Sequence, residues 1–222
     1  MSTEIYSDHL CQLIEAISHH VIGKRKIYPD VIFTSRLAFG VPVKYSMHPG
    51  VNEFIETALD CLMTAIDTKK AKVHGLNLLI LDQDEDLVEK YVFQFPRMKF
   101  KYKDLKKGVT TAKQKYKAPL DVADVLRNIL LRLTSRMDEM PPLENSSNCT
   151  FNYSLITNVE GARAIEQRKT NEPWEAKGLQ EGEKSDKTLE FLAEKIPIQA
   201  AKHNPINLSL HIDMFNRELM KS

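Results

Sequence analysis

The chain has 222 residues, of which 42% are hydrophobic, and this fits one globular domain with a sizeable core. Its 31 Lys and Arg residues are balanced by 30 Asp and Glu residues, so no net field attracts the whole protein to nucleic acid or to an acidic surface. The sequence predicts neither a signal peptide nor a membrane span, because no apolar run approaches the roughly 20 residues that a bilayer requires. We therefore expect a soluble intracellular protein with three reduced cysteines, Cys11, Cys61 and Cys149.

Two helices and an irregular connection are predicted in the first third of the chain. Apolar residues at three- and four-residue spacing predict a helix over residues 8–25, which Pro29 stops. Residues 27–47 are apolar but irregular, and Pro29 and Pro42 bar a regular helix there, so we expect an ordered loop or a short edge strand. A second helix is predicted from Pro49 to near Ile66.

A hairpin, a third helix and a further strand are predicted next. Residues 73–81 and 87–95 are strand-like runs on either side of an acidic turn. Residues 121–137 have apolar residues at helical spacing, and residues 149–157 resemble a strand. Alternation assigns these side chains to the core face of the second and third strands: Glu89, Tyr91, Phe93, Phe95, Phe151, Tyr153 and Leu155.

The last third of the chain changes in character. Residues 158–195 are polar and charged, with one tryptophan, Trp174, and the stretch around Gly178 to Gly182 is typical of mobile chain. Two short alternating runs, around Ile196 and over residues 206–212, are expected to return to the sheet as strands. The predicted fold class is α+β, in one domain.

The sequence contains no recognisable motif for catalysis, for phosphate binding or for metal binding. The glycines form no phosphate-binding fingerprint, and no His or Cys pair has metal-site spacing. A cysteine nucleophile needs a neighbouring base, and for Cys61 or Cys149 a core position is the simpler interpretation. We therefore expect no enzyme activity, no cofactor and no metal.

Residues 97–117 are strongly basic, with nine Lys or Arg residues against one acidic residue, Asp104. Aromatic residues lie between these basic residues, so the segment could bind a phosphate backbone through its charges and stack bases on its rings. A solvated connection between strand and helix is the simpler interpretation. Both interpretations stay open, and the candidate nucleic-acid contacts are Lys101, Lys103, Lys106 and Lys107.

The stretch "KIYPDVIFTSRLAFGVPVKYSMHPGVNEFI", residues 26–55, resembles the signature region of HORMA-domain proteins and, within them, of the non-catalytic accessory subunits of DNA polymerase zeta. The matching pieces are Tyr28-Pro29, Val41-Pro42-Val43, His48-Pro49 and Phe54-Ile55. The resemblance implies a HORMA fold, in which three helices pack on an antiparallel sheet. It divides the single domain, residues 1–222, into a core over 8–157 and a safety-belt region over 158–222 that closes across a bound peptide.

The resemblance also implies a function in translesion synthesis, within DNA repair and the DNA damage response. The expected role is a nuclear adaptor that clasps a peptide of the catalytic subunit of DNA polymerase zeta and links it to other repair factors. A spindle-checkpoint or meiotic HORMA adaptor is the alternative within the family. A nucleic-acid-binding protein that uses residues 97–117, with weak DNA contact, is the alternative outside it.

Site residues follow from the resemblance position by position. Tyr28, Phe54 and Trp174 stand where the family contacts the peptide, although helix core is an equally simple role for Phe54. Arg127 matches a position used for homodimers or for pairing with other HORMA domains, although it could be an ordinary surface arginine. The predicted docking residues for the translesion scaffold polymerase are Ile198, Leu208 and Leu210. This chain departs from the family pattern nearby, at Lys195, Ser209 and His211.

Overall fold

The computed structural model describes residues 7–68, 71–95, 120–158, 162–163, 175–178, 192–200 and 208–215. In these ranges the helices are α1 (Ser7–Lys24), α2 (Pro49–Asp67) and α3 (Leu120–Glu139). The strands are β1 (Phe33–Ala38), β2 (Val41–Ser46), β3 (Val73–Leu81), β4 (Leu87–Gln94), β5 (Thr150–Thr157), β6 (Glu175–Gly178), β7 (Leu192–Ala200) and β8 (Ser209–Phe215). Among the described helices, none is long and apolar enough to cross a membrane.

Six strands form one sheet in the order β6-β5-β3-β4-β8-β7, and β1 and β2 form a separate hairpin. Neighbouring strands are antiparallel except for β5 and β6, which are parallel. The predicted α+β class and the predicted packing of three helices on a largely antiparallel sheet are confirmed. The parallel β5–β6 pair was not predicted.

The core lies between the helices and one face of the six-stranded sheet. Tyr153, Leu78, Tyr91 and Ile212 are direct neighbours across four strands, and all four are buried. The apolar stripes of the three helices cover this face because each stripe must be removed from water. The predicted core face of β4 and β5 is therefore confirmed, including the charged Glu89, which is 0% exposed.

Helix α1 ends in a Schellman arrangement. The amide of Ile27 donates to the carbonyl oxygen of Ile22 at 3.1 Å, and Lys26 between them has a φ of 56°. A residue at this position adopts the left-handed conformation, which glycine enters without steric cost. The chain turns sharply here and then enters the β1–β2 hairpin.

The expectation for residues 27–47 is corrected by the structure. Instead of an ordered loop or a short edge strand, the chain forms a 3-10 turn at Asp30–Ile32 and then the β1–β2 hairpin. Phe39 and Gly40 both have positive φ, 50° and 76°, as in a two-residue type I′ turn. The sequence hides this turn because phenylalanine is unusual at its first central position. Pro42 is tolerated because the hairpin is only two strands wide.

The C-terminal strands return to the sheet as predicted. The β7–β8 hairpin extends the sheet beside β4, and the runs around Ile196 and residues 206–212 lie within or next to these strands. Strand β6 formed where composition predicted irregular chain. Strands β6 and β7 lie at opposite edges of the sheet.

Candidate functional site

One edge of the sheet is only partly covered. Strand β6 pairs with the second half of β5, from Ser154 opposite Glu175 to Thr157 opposite Gly178. Within the described part of the chain, no strand pairs with residues 150–152 on that side. A strand edge with unpaired amide and carbonyl groups can accept another extended chain.

An aromatic cluster lies next to this open edge. The ring of Phe151 meets Phe54 edge-on at a centroid distance of 5.2 Å and Tyr28 at 6.2 Å, both with an interplanar angle of 90°. The ring centroids of Phe54 and Tyr153 are also 6.1 Å apart. Edge-to-face packing of this kind is favourable and fixes the rings relative to one another. Tyr28 and Phe54 are only half-buried, so part of each ring remains accessible to a bound partner.

A cleft of about 470 Å³ adjoins the cluster. One wall is the loop over residues 26–30, and the other is the chain over residues 147–150 that leads into β5. Tyr28 lines the cleft and also belongs to the aromatic cluster. Thr150 lines the cleft and is also the first residue of the open edge of β5. Burial raises the pKa of the Tyr28 hydroxyl, so this residue presents a neutral ring to the cleft.

The structure brings two of the three predicted peptide contacts together. Tyr28, from the loop after α1, and Phe54, from α2, both pack against Phe151. Trp174 lies outside the described residues, but Glu175 directly after it pairs with Ser154 on the same strand edge. Phe151 was predicted only as a core residue, because alternation within a strand does not reveal which strand forms the edge.

The predicted docking residues in the C-terminal strands require a correction. Ile198, Leu208 and Leu210 are 4%, 1% and 1% exposed and belong to the core. Their side chains point into the domain because the β7–β8 hairpin contributes its apolar face to the sheet core. In this arrangement they do not form a surface for another protein. The neighbouring Lys195 is exposed, and His211 is buried beside Asp213, with Nε2 and Oδ1 3.4 Å apart.

Arg127 lies on the exposed side of α3, next to the β1–β2 turn. Its Nη1 atom would be 2.9 Å from a Cβ atom placed on Gly40, so the guanidinium packs directly over that glycine. Leu37, in the same hairpin, is 76% exposed, and Leu131 on α3 is 44% exposed. Arg127 therefore remains a predicted contact for self-association.

The basic candidate contacts Lys101, Lys103, Lys106 and Lys107 lie outside the described residues. Cys11, Cys61 and Cys149 form no disulfide. No group of three or more His, Cys, Asp or Glu side chains suited to a metal occurs in the part of the chain that the structure describes.

The buried histidines His19 and His20 have structural roles. His19 Nδ1 accepts the amide of Ser46 at 3.3 Å, and His20 Nδ1 accepts the amide of Lys44 at 3.0 Å. Both bonds hold β2 against α1. His19 also stacks on the ring of Tyr45, with the ring centroids 3.7 Å apart, so both imidazoles contribute to the packing of α1 against β2.

Similar proteins agree with this architecture. The profile of the HORMA domain matches residues 8–204. Human mitotic spindle assembly checkpoint protein MAD2B is 25% identical over 215 residues, which cover 95% of this chain and 91% of that protein. DNA polymerase zeta subunit 2 of Drosophila melanogaster is 21% identical over 160 residues, which cover 72% of this chain and 74% of that protein.

Solved structures share the fold. One chain of the mitotic checkpoint complex superimposes with a TM-score of 0.62 at 15% identity, covering 95% of this chain and 99% of that chain. Caenorhabditis elegans HTP-2 bound to HTP-3 closure motif 1 gives a TM-score of 0.57 at 13% identity, covering 95% and 85%. Because the profile spans nearly the whole chain, this protein belongs to the HORMA domain family.

Proposed function

We propose that this protein is a non-catalytic adaptor that grips an extended peptide of a partner protein. The observation that carries the proposal is the aromatic cluster of Tyr28, Phe54 and Phe151 beside the open edge at residues 150–152. An edge strand supplies backbone hydrogen bonds to any extended chain, and the exposed parts of the rings supply apolar contacts that select its side chains.

The topology supports a clasp around the peptide. Strand β6 lies on the same edge as the proposed site, and the β7–β8 hairpin lies at the far edge. We propose that the C-terminal region over residues 158–222 closes over the peptide as a safety belt. Release then requires local unfolding of the C-terminal strands, so affinity depends mainly on a slow dissociation rate.

The names of the relatives suggest the partner. We propose that the peptide belongs to the catalytic subunit of DNA polymerase zeta, in line with the similarity to the Drosophila polymerase zeta subunit. The adaptor would then act in the nucleus and link translesion synthesis to other repair factors. The HTP-2 structure, a fold neighbour bound to a closure motif of another protein, supports recognition of peptide motifs by this fold.

A spindle-checkpoint or meiotic adaptor is the second candidate. The relatives named as mitotic spindle assembly checkpoint proteins favour the checkpoint role. Affinity purification of the full chain, followed by identification of bound proteins, separates the candidates. Recovery of checkpoint or meiotic axis proteins without the polymerase subunit would exclude our first choice of partner.

Fluorescence of Trp174, the only tryptophan of the chain, tests the clasp directly. We expect a saturable change and slow dissociation when apolar, proline-containing peptides are titrated, and loss of both in Phe54→Ala. Phe39→Ala, which truncates a partly buried ring in the β1–β2 turn, is the matched control and should bind normally. Equal binding by Phe54→Ala and the wild type would reject the proposed site.

A further inference from the structure

We propose that the peptide carries a carboxylate side chain, Asp or Glu, that pairs with Lys26 at the mouth of the cleft. This inference rests on the proposed function, because it describes the chemistry of the peptide that the clasp selects. It concerns the 26–30 wall of the cleft, next to the aromatic cluster.

The charged side chains at the 26–30 wall of the cleft leave one positive charge in excess. Asp30 accepts a hydrogen bond from Lys44 Nζ, and this contact lowers the pKa of the Asp30 carboxyl. Asp30 is therefore charged and already matched by a lysine. Lys26 lines the cleft and is exposed, and its charge also contributes to the lowered pKa of the Asp30 carboxyl. Two lysines, Lys26 and Lys44, therefore act on one carboxylate, and one positive charge stays in excess at this wall. The facing wall, residues 147–150, contains only uncharged side chains.

The backbone conformation of Lys26 favours glycine, so the lysine at this position calls for an explanation. Its φ of 56° lies in the left-handed region, where a residue with a Cβ is less favourable than glycine. The Schellman ending of α1 would be satisfied better by glycine. A charged side chain at such a position, on the rim of a cleft, suggests a role beyond ending the helix.

The geometry indicates where the carboxylate would lie. A peptide that pairs with residues 150–152 and continues past Thr150 reaches the wall over residues 147–149 and the facing Lys26. An apolar peptide side chain would pack on Tyr28 and Pro29, and the acidic residue would lie beside it. Because the rim is exposed to solvent, the ion pair should change affinity only about fivefold and should weaken with salt.

A matched peptide scan tests the inference. One apolar, proline-containing peptide that binds in the Trp174 titration is synthesised with Glu, and separately with Gln, at each position in turn. We expect about fivefold tighter binding for Glu than for Gln at one or two adjacent positions. Lys26→Arg should keep this preference, Lys26→Gly should abolish it, and Lys26→Glu should reverse it towards peptides with Lys.

The variants separate binding from folding. Lys26→Gly should not lower the melting temperature, because glycine suits the left-handed backbone. Lys195→Gln, which removes an exposed charge on β7, should leave the preference unchanged. If peptides bind but Glu and Gln are equivalent everywhere, or the preference persists in Lys26→Gly, the role of Lys26 is rejected. If no peptide binds the wild type, the proposed function itself is overturned and the inference with it.

Discussion

Arg25 and Glu89 form an ion pair in the interior, where their side chains are 5% and 0% exposed. Arg25 Nε donates to Glu89 Oε2 at 3.0 Å, and Nη2 donates to Glu89 Oε1 and to the carbonyl oxygen of Pro141 at 2.9 Å. The hydroxyl of Tyr91 completes the carboxylate's contacts at 2.9 Å. Burial raises the pKa of Glu89 and Arg25 opposes this rise. The pair therefore joins the end of α1, β4 and the chain after α3.

Arg25→Ala is expected to lower the free energy of unfolding by about 3–5 kcal/mol, because it leaves Glu89 buried without its cation. Chemical denaturation in urea measures the loss. Arg25→Met combined with Glu89→Leu should recover most of it, since an apolar pair removes both charges. Lys24→Ala is the control: its partner Asp138 is largely exposed, and the expected cost is below about 1 kcal/mol. Equal costs for the two single variants would contradict the structural role of the buried pair.

The two adjacent histidines make stability depend on pH. His20 Nδ1 accepts a hydrogen bond from the Lys44 amide. The Thr134 hydroxyl donates its proton to the Leu130 carbonyl oxygen, so the same hydroxyl oxygen accepts a hydrogen bond from His20 Nε2. This arrangement requires a neutral imidazole. Burial lowers the pKa of His19 to about 3 and that of His20 to about 4.

Because both folded pKa values lie below the usual value of 6.5, the unfolded chain binds more protons between these limits. Their contribution to stability is complete above about pH 6.5 and decreases as the pH falls towards the folded pKa values. From about pH 7.5 to about pH 5 we expect a loss of about 2 kcal/mol for each imidazole. Urea denaturation at both pH values measures it.

Asparagine provides the matched variant for this pH effect. In His19→Asn/His20→Asn the side-chain oxygens can accept the same two amides without titrating. The double variant should therefore lose much less stability than the wild type over this range. An unchanged pH dependence would assign the effect to other groups, such as the buried carboxyls.

Gly75 on β3 permits a close approach of β4. A Cβ atom on Gly75 would lie 2.5 Å from the carbonyl oxygen of Phe93, and backbone cannot easily move away. We expect Gly75→Ala to cost about 1–3 kcal/mol in thermal or urea unfolding. Gly50→Ala, in the first turn of α2, is the control and should be neutral or stabilising, since only the side chain of His48 lies nearby. A tolerated Gly75→Ala would show that the β3–β4 spacing is adjustable.

Arg127 is predicted to contribute to self-association or to pairing with another HORMA domain. Arg127→Glu should shift sedimentation profiles towards the monomer, because the reversed charge opposes the partner surface around the β1–β2 turn. Arg132→Glu, an exposed arginine on the same helix, is the matched control. A monomeric wild type with no HORMA partner in affinity purification would reject this role.

The basic segment 97–117 is predicted to add nonspecific nucleic-acid affinity. Replacing Lys101, Lys103, Lys106 and Lys107 by alanine should weaken DNA binding and reduce its salt dependence, by up to about 0.9 in slope for each phosphate contact removed. Binding of a fluorescent duplex at several salt concentrations measures both. Unchanged affinity and slope would leave the segment as a solvated connection.

Local patterns in the sequence were sufficient for the helices and for the faces of the central strands. The apolar spacing of α1, α2 and α3 and the alternation in β4 and β5 depend on neighbours within a few residues. The resemblance of residues 26–55 then identified the family and named Tyr28 and Phe54. The β1–β2 hairpin was missed because its turn uses Phe39 where the usual signal is Asn or Gly.

The tertiary structure decided which of these residues meet. Alternation predicted that Glu89 and Phe151 lie on core faces. Only the tertiary structure showed that Glu89 pairs with Arg25 at the end of α1, and that Phe151 contacts both Tyr28 and Phe54. Likewise, Ile198, Leu208 and Leu210 were recognised as important but are core residues, because the β7–β8 hairpin adds its apolar face to the sheet. A sequence pattern specifies the face that a side chain shares with its neighbours along the chain. Its partners across the sheet depend on long-range pairing, which is set by the packing of the whole domain.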